Sequence, residues 1–479
     1  MTNRQSVEVA IIGAGSAGMR AYREVSKYTD SVRLIEGGSY GTTCAKVGCM
    51  PSKLLIAAAE AASAGTHAEA FGVSYDKPRI DGEAVMRRVR SERDRFVGFV
   101  VDTVENWPDE HRIRGDAQFV SDHVLQIGDD LQLEAERIII ATGSRSNIIP
   151  SLQGLGERLI VNDDIFSWQT LPQSVAVFGA GVIGLELGQA LHKLGVRVVL
   201  FGHNNNVGPL TDPEVLRVAR EVISADMPFY PDAKVSRKTL RNHAVEIEYQ
   251  HQGETRIEHF DYVLAATGRI PNIDRLALEN TSLSLNERGM PEYDAHTCRL
   301  GDSHLFMAGD VNNELPLLHE AADEGAIAGY NAAHYPDVRR FKKSAPISVV
   351  FSDPQIMMVG RTHRELSEAG VDFETGELDW SDQGRSRVML INQGLLRVYG
   401  ERNSGRFLGA EMIGPRAEHL AHLLAWSYQS QLTVSEMLER PFYHPVVEEG
   451  VRTALRTLNY ALEMGSKPPP RCIDCGPGA

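Results

Sequence analysis

The chain carries the same strand, glycine-loop and helix pattern twice, and this repeat restricts its fold more than any other feature of the sequence. Each copy is an apolar run followed by a GxGxxG loop and a helical segment: residues 7–12 with Gly13, Gly15 and Gly18, and residues 175–178 with Gly179, Gly181 and Gly184. Glycines at these positions let the backbone approach a pyrophosphate closely, and the helix N-terminus faces that group. The repeat therefore predicts an α/β chain with two dinucleotide-binding halves.

Three further signals support this organisation. The strand over residues 32–35 leads into Glu36, an acid placed where dinucleotide-binding units hold the ribose hydroxyl groups. An apolar run that enters a Thr-Gly step occurs once in each half, at residues 142–143 and 267–268. Residues 305–310 read as a strand and turn that return to the first nucleotide, so we expect the second half to be inserted in the first.

Composition narrows the possible functions. The 479 residues are enough for several domains, 42% of them are hydrophobic, and the net charge is −15. This acidic balance argues against nucleic-acid binding, and no apolar run is long enough to predict a membrane span. The N-terminal residues show no targeting pattern and there are only five cysteines. We therefore expect a cytoplasmic protein, in which a close cysteine pair is more often catalytic than structural.

The sequence pattern changes near Ser344. Beyond it, short apolar runs separated by turn residues predict antiparallel strands, and residues 418–429 and 446–464 have helical patterns. Together they predict a third domain of the α+β type. The last residues, 467–479, are rich in proline and glycine and predict a tail rather than a packed element.

Two cysteines, Cys44 and Cys49, are separated by four residues in the stretch GTTCAKVGCMPSK. In isolation such a pair is explained by two buried cysteines, because a free Cys behaves as a small hydrophobe. Here the pair comes soon after a dinucleotide-binding loop, and Gly48, Pro51 and Lys53 accompany it. This arrangement predicts electron transfer between a bound cofactor and a disulfide formed by the two cysteines.

A histidine and a glutamate near the C-terminus form a second candidate pair. His444 precedes Pro445, which is expected at the first position of a helix, and Glu449 follows. An imidazole can take a proton from a dithiol and return it, and a carboxylate can orient the ring. A His-Pro step more often marks only a helix boundary. Together with the cysteine pair, however, it predicts a general base.

The order of these motifs resembles the class I pyridine nucleotide–disulfide oxidoreductases over almost the whole chain, most of all the dihydrolipoamide dehydrogenases, with the glutathione reductases next. GTTCAKVGCMPSK is highly specific, whereas the glycine loops alone are not. The resemblance implies two Rossmann-like domains, the second inserted in the first, and a C-terminal α+β domain that forms a homodimer. The implied boundaries are 1–150 and 271–343 for FAD, 151–270 for NAD or NADP, 344–466 for dimerisation, and 467–479 for a CxxC tail.

The resemblance also implies a role for individual residues. Cys49 is the thiol that faces the flavin, and Cys44 is the interchange thiol that reacts with the substrate. Lys53 lies near the flavin ring with Glu186 as its acidic partner, and His444, with Glu449, acts across the dimer in a shared active site. No metal ligand is predicted. The predicted cofactor contacts are Gly13, Gly15, Gly18, Glu36, Thr43, Ala141, Thr142, Gly143, Gly309, Asp310 and His319 for FAD, and Gly179, Gly181, Gly184, His203 and Arg269 for the nicotinamide cofactor.

The sequence departs from the family pattern in three places. Thr42 replaces a second glycine before Cys44. The position equivalent to Glu36 after the second loop is Gly202, where NAD-specific members carry an acid, so NAD and NADP both stay open. Near the C-terminus, Cys472 and Cys475 form a CxxC. This pair is an idle tail, a redox relay to the interchange thiol, or half of a zinc clip between two tails.

Two functions fit these features. The first is oxidation of dihydrolipoamide, as a small dithiol or on a lipoyl domain, which the cysteine motif and the His-Glu pair favour. The alternative is NADPH-dependent reduction of another small or protein disulfide, which Gly202 and the CxxC tail favour. A soluble transhydrogenase needs no thiol pair, and a binding subunit without turnover is expected to have lost the thiols or the base.

Overall fold

The computed structural model describes residues 3–65, 68–74, 76, 78–232 and 234–463. The protein separates into two compact units that alternate along the sequence. The first unit contains Met1–Leu54, Arg87–Asn147 and Gly268–Lys343, and the second contains Leu55–Met86, Ile148–Thr267 and Ser344–Ala479. The sequence-derived domain boundaries divide the chain more finely and stay a prediction. The CxxC of Cys472 and Cys475 lies outside the described residues.

A sheet of long apolar strands forms the centre of the first unit. Asn3–Ile12 lies between Val32–Glu36 and Leu131–Ile140 and is parallel to both. Strands of a parallel sheet are buried on both faces, which explains the continuous apolar run at the end of Asn3–Ile12. Among the described residues, the strands in spatial order are Tyr293–Asp294, Arg299–Leu300, Leu305–Met307, Leu131–Ile140, Asn3–Ile12, Val32–Glu36 and Arg112–Arg114, while Ala117–Ser121 and Val124–Ile127 join through Leu131–Ile140. Leu305–Met307 is parallel to Leu131–Ile140, so the chain does return to this sheet, as the sequence predicts.

Helices Ser16–Val25 and Leu318–His334 pack on this sheet and against each other. Their close contact depends on two glycines of the second helix. A Cβ on Gly325 would lie 2.3 Å from the carbonyl oxygen of Ala17, and one on Gly329 would lie 2.8 Å from that of Ala21. Other elements with residues in this unit are helices Thr43–Val47, Cys49–Ser63 and Gly82–Glu105 and the two-stranded sheet of Ser144–Ser146 and Arg269–Pro271.

The second unit contains a parallel sheet with the same local order of strand, glycine loop and helix. Its strands in spatial order are Phe229–Tyr230, Arg197–Phe201, Ser174–Phe178, Tyr262–Ala265 and Leu159–Ile160. The helices of this part are Asn162–Ile165, Val182–Lys193 and Pro213–Asp226. An antiparallel sheet packs on it through the buried side chains of Val245, Ile247 and Tyr249. That sheet consists of Lys234–Arg241, Ala244–His251 and Glu254–Phe260.

The C-terminal part of the second unit has the α+β arrangement that the sequence predicts. Its antiparallel strands in spatial order are Ile347–Val350, Gln355–Gly360, Phe407–Gly414, Leu395–Glu401 and Phe373–Asp379. Its helices are His363–Glu368, Gly384–Val388, Ala417–Gln429, Val434–Leu438 and Glu449–Ala461. Trp380 is fully buried in this core, where Gly414 and Gly450 leave room for its indole ring.

The last helix corrects one expectation. The sequence predicts a helix over 446–464 with Pro445 at its first position, but the helix begins at Glu449 and ends at Ala461. The Glu449 carboxylate accepts a hydrogen bond from the Val446 N–H at 3.2 Å and contacts Nδ1 of His444 at 3.0 Å. Ahead of the helix, the Gly450 N–H bonds the Val447 carbonyl at 2.9 Å and the Val451 N–H bonds the Glu448 carbonyl at 3.0 Å, so these residues form tighter turns than a helix has.

Candidate active site

The first glycine loop has the geometry of a pyrophosphate cradle. Gly13 has φ +107°, and a Cβ there would lie 2.3 Å from the carbonyl oxygen of Ala141, so only glycine fits between the two strand ends. Gly18 packs closely too, since a Cβ there would lie 1.8 Å from the Gly13 carbonyl oxygen. The space beside Gly15, which precedes helix Ser16–Val25, is open. A phosphate can therefore reach the N-terminus of this helix.

Glu36 is fixed beside this loop by two backbone amides. Its Oε2 accepts a hydrogen bond from the Ala14 N–H at 2.8 Å, and its Oε1 accepts one from the Gly38 N–H at 2.8 Å. Both carboxylate oxygens are thus held at the position from which an acid binds the ribose of a dinucleotide.

Asp310 lies at the centre of a polar network in the first unit. Its carboxylate accepts a hydrogen bond from Ser144 Oγ at 2.9 Å. Arg269 binds the same serine, from Nε to Oγ at 2.8 Å and from Nη2 to the carbonyl at 2.7 Å. The structure therefore places Arg269 close to the predicted FAD contact Asp310. Its predicted role at the nicotinamide cofactor stays a prediction. The sequence gives no distinctive signal for Ser144.

A buried carboxylate, Glu324, supports the turn that precedes Asp310. Glu324 is 2% exposed and accepts hydrogen bonds from the Gly309 N–H at 2.9 Å and from Nδ2 of Asn312 at 2.8 Å. Lys343 donates to the other oxygen at 3.0 Å. Burial raises the pKa of Glu324, while the Gly309 amide and the charge of Lys343 oppose this shift. The sequence offers no signal for Glu324 or Lys343, because an acidic or basic residue in a helix or loop forms no pattern that marks its partner.

The remaining predicted FAD contacts also lie in the first unit. Thr43 is exposed at the start of its helix, and the Ala141 N–H bonds the Ile12 carbonyl at 2.8 Å. Thr142 donates from its hydroxyl to a carbonyl at 2.8 Å, and Gly143 has φ +67°. The side chain of His319, in the first turn of its helix, is 48% exposed. One unit therefore contains every residue that the sequence assigns to this cofactor.

The two thiols lie on either side of a tight turn. Cys44 belongs to helix Thr43–Val47, and Cys49 begins helix Cys49–Ser63. Between them, a Cβ on Gly48 would lie 3.0 Å from a carbonyl oxygen of the first helix, so the turn favours a residue without a side chain. Cys44 is half-buried and Cys49 is exposed. The hydrogen bond between the two thiols and the burial of Cys44 raise the pKa of the Cys44 thiol.

The departure from the family pattern at Thr42 has a local explanation. Its hydroxyl accepts a hydrogen bond from the Ala45 N–H at 3.2 Å and caps helix Thr43–Val47. A threonine is a favourable N-cap, because it satisfies an amide that the helix leaves unpaired. The substitution therefore fixes the start of the helix that carries Cys44.

Lys53 and Glu186 belong to different units. Lys53 is half-buried, one turn into helix Cys49–Ser63. Glu186 is buried in helix Val182–Lys193, and its Oε1 accepts a hydrogen bond from the Phe351 N–H at 3.0 Å. The pairing of Lys53 with Glu186 stays a prediction.

His444 and Glu449 form the pair that the sequence predicts. Nδ1 of His444 lies 3.1 and 3.0 Å from the two carboxylate oxygens of Glu449. The carboxylate is 4% exposed and the imidazole 51% exposed, and Arg452 approaches the carboxylate at 3.6 Å. A carboxylate at Nδ1 fixes the ring and its tautomer, which leaves Nε2 to exchange protons.

The second glycine loop repeats the geometry of the first. Gly179 has φ +110°, and a Cβ there would lie 2.2 Å from the Ala266 carbonyl oxygen. A Cβ on Gly184 would lie 1.8 Å from the Gly179 carbonyl oxygen, whereas the space beside Gly181 is open. His203 is exposed in the same unit. The described residues thus include two dinucleotide cradles, a pair of neighbouring thiols and an imidazole oriented by a carboxylate, which are the groups expected of an oxidoreductase of dithiols and disulfides.

Known proteins share this organisation. Residues 7–325 match the family described as pyridine nucleotide-disulphide oxidoreductase, and residues 347–455 match its dimerisation domain. The chain belongs to this family. It is 31% identical to a dihydrolipoyl dehydrogenase of Haloferax volcanii, over 93% of this chain and 95% of that protein. It is 28% identical to a dihydrolipoyl dehydrogenase of Geobacillus stearothermophilus, over 92% and 94%. LpdA from Mycobacterium tuberculosis is 23% identical and has the same fold, with a TM-score of 0.79 over 94% of this chain and 99% of that one.

These comparisons confirm the predicted family, fold class and enzyme class. Members of the family use FAD and NAD(P), and the open space beside Gly15 and Gly181 suits a phosphate at each helix N-terminus. The protein is an FAD- and NAD(P)-dependent oxidoreductase of the pyridine nucleotide-disulphide family.

Proposed function

We propose that this enzyme oxidises dihydrolipoamide, as a small dithiol or on a lipoyl domain, through Cys44 and Cys49. The hydrogen-bonded thiol pair, which follows a dinucleotide cradle closely in the chain, is the observation that carries the proposal. Similarity to dihydrolipoyl dehydrogenases along most of the chain supports this substrate over other dithiols.

The side chains of the protein account for the exchange with the substrate. When Cys44 and Cys49 are joined as a disulfide, a substrate thiol gives its proton to His444 and its sulfur attacks Cys44 Sγ. The S–S bond breaks, and Cys49 leaves as a thiolate. The second substrate thiol then attacks the substrate sulfur bound to Cys44, passes its proton to Cys44, and closes the substrate disulfide. Two electrons now reside in the Cys44–Cys49 dithiol.

The raised pKa of Cys44 fits this sequence, because the outer thiol then ends the exchange protonated. Bound FAD supplies the redox chemistry that moves the two electrons from the dithiol to the nicotinamide cofactor. Glu449 orients His444 throughout, and the Thr42 cap with the glycine turn at Gly48 holds the interchange thiol in place.

A homodimer with a shared active site is part of the proposal. The match to the dimerisation domain of the family supports it. In the single chain, three aromatic side chains of this domain are largely exposed, Trp426 at 68%, Tyr443 at 78% and Tyr460 at 86%. Exposed aromatic groups of this size are typical of a surface that a partner covers.

A cytoplasmic location is also proposed, since free thiols persist in a reducing compartment. The cysteines that the structure describes, Cys44, Cys49 and Cys298, are not joined in disulfides. Within the described ranges, no helix combines the length and hydrophobicity needed to cross a membrane.

Steady-state kinetics test the substrate. We would measure kcat/KM for dihydrolipoamide oxidation and for reduction of lipoamide, glutathione disulfide and thioredoxin, each with both nicotinamide cofactors. The proposal predicts the highest value for the lipoamide couple and loss of that activity in Cys44→Ser. Faster turnover of glutathione disulfide or thioredoxin would favour the second candidate, an NADPH-dependent disulfide reductase, which Gly202 supports.

A further inference from the structure

The ribose end of the second nucleotide site differs from the first at one position. In each unit the first glycine of the loop donates its N–H to a carbonyl at the end of the neighbouring strand: Gly13 to Ile35 and Gly179 to Phe201, both at 2.8 Å. The residue that follows this carbonyl is Glu36 in the first unit and Gly202 in the second. Gly202 therefore occupies the place of the ribose-binding acid.

The backbone around Gly202 excludes an acidic side chain on residue 202 itself. A Cβ on Gly202 would lie 2.7 Å from the carbonyl oxygen of Pro231 and 2.9 Å from its Cα. The Gly202 N–H also bonds the Tyr230 carbonyl at 2.8 Å, which fixes the backbone against this neighbour. An aspartate or glutamate that binds an unmodified ribose 2′-hydroxyl cannot be accommodated here without moving one strand end.

A positively charged side chain lies at the following loop instead. Asn204 and Asn205 have φ values of 54° and 57° and turn the chain sharply after the strand. From helix Pro213–Asp226, the guanidinium of Arg220 donates to the Asn205 carbonyl at 3.0 Å. Arg220 forms no ion pair with any residue that the structure describes. Arg217, one turn earlier on the same helix, is by contrast paired with two glutamates.

We propose that this site selects NADP(H) over NAD(H), with Arg220 and His203 as contacts of the 2′-phosphate. A guanidinium has five N–H donors and binds phosphate through parallel charge-assisted hydrogen bonds, so one bond to Asn205 leaves donors for the ligand. His203 is exposed on the same loop and adds a nitrogen donor. The proposal rests on the proposed use of the second glycine loop for the nicotinamide cofactor. The competing group is Asp232, an exposed acid just after the neighbouring strand, which would instead serve an unmodified ribose.

Calorimetric titration of the oxidised holoenzyme with 2′,5′-ADP and with 5′-ADP tests the proposal without turnover. We expect 2′,5′-ADP to bind at least ~10-fold more tightly, the scale of one charge-assisted contact. Arg220→Gln should reduce the affinity for 2′,5′-ADP by ~10-fold and leave that for 5′-ADP unchanged. Arg220→Lys should recover part of the loss, because it keeps the charge. Arg217→Gln is the matched control and should change neither affinity.

Three results would overturn the proposal. One is equal or tighter binding of 5′-ADP to the unmodified enzyme. Another is an equal loss of both ligands in Arg220→Gln, since this would show that Arg220 only supports the loop. The third is loss of 5′-ADP affinity in Asp232→Asn, which would assign the ribose to that acid. Turnover of dihydrolipoamide with NAD⁺ but not with NADP⁺ would refute this inference and leave the proposed function intact. NADP-selective binding without turnover of lipoamide would support this inference and refute the proposed function.

Discussion

His444 and Glu449 combine an exposed imidazole with a buried carboxylate that orients it. The buried carboxylate, 4% exposed, holds Nδ1, while the imidazole ring is 51% exposed. A base that must meet a substrate needs this combination, because burial fixes its orientation and exposure gives it access. We therefore expect the pair to act in the dithiol exchange and not in the transfer between the two cofactors.

His444→Ala should slow dihydrolipoamide oxidation by ~10²-fold or more, the scale of a lost general base. Reduction of the enzyme by the nicotinamide cofactor should change little. Stopped-flow measurement of the two half-reactions checks this, and Glu449→Gln should give a smaller loss in the dithiol half alone. Equal slowing of both half-reactions would contradict the role given to His444.

A second interaction between individual residues is the ion pair of Glu324 and Lys343. Although burial opposes its charge, the neighbouring Glu324 and two further carboxylates raise the pKa of Lys343. Lys343→Met should lower the free energy of unfolding by about 2 kcal/mol at neutral pH, because it leaves a buried carboxylate without its cation. Differential scanning calorimetry checks this, with the exposed Lys342→Met as the control that should change little.

The same variant carries a pH prediction. Burial raises the pKa of Glu324, so the folded protein holds that proton more tightly than the unfolded chain. The contribution of this group to stability is therefore complete below the ordinary glutamate pKa and is lost as the pH rises through the raised value. Removal of Lys343 should raise the pKa of Glu324 further. The loss of unfolding free energy in Lys343→Met should therefore shrink when the pH falls towards about 5 and Glu324 becomes protonated. A deficit that grows on acidification would contradict the assignment.

Among the secondary-structure elements, the crossing of Ser16–Val25 and Leu318–His334 supports both the first glycine loop and the Asp310 turn. Gly325→Ala should destabilise the protein by about 2–3 kcal/mol, because its Cβ meets a backbone carbonyl that cannot move alone. Gly98→Ala is the matched control, since this helical glycine has open space around it. It should stabilise by about 0.5–1 kcal/mol. Similar unfolding midpoints for the two variants would show that the crossing tolerates a side chain.

How much of the structure the sequence reveals differs between elements. Both glycine loops, the thiol pair and the His-Glu pair follow from residue type and short spacing, and the structure has each in the expected local geometry. The predicted start of the last helix is wrong, because backbone bonds three residues apart hold Val447 and Glu448 in turns before Glu449. The sequence does not reveal Ser144, whose partner Asp310 is distant in the chain. It does not reveal Glu324 either, because a polar residue in a helix carries no periodic signal that marks its partners.

For the whole molecule, the proposed sharing of the active site between subunits predicts complementation between inactive subunits. Cys44→Ser homodimers should be inactive with dihydrolipoamide, and His444→Ala homodimers should keep about 1% of the activity or less. After subunit exchange, a hybrid dimer would have one complete site, so an equal mixture should recover about a quarter of the unmodified activity. The control is an equal mixture of the two variant homodimers kept under conditions in which subunits do not exchange. No recovery in hybrids confirmed by native mass spectrometry would place the base and the thiols in one subunit.

Anaerobic mixing of the oxidised enzyme with dihydrolipoamide, followed by flavin absorbance, tests the central claim most directly. Electrons are proposed to enter only through Cys44, so rapid reduction is predicted for the unmodified enzyme and its loss for Cys44→Ser and Cys49→Ser. The nicotinamide cofactor should still reduce the flavin in Cys44→Ser, which controls for folding and cofactor content. Reduction of Cys44→Ser by dihydrolipoamide at the unmodified rate would contradict the claim.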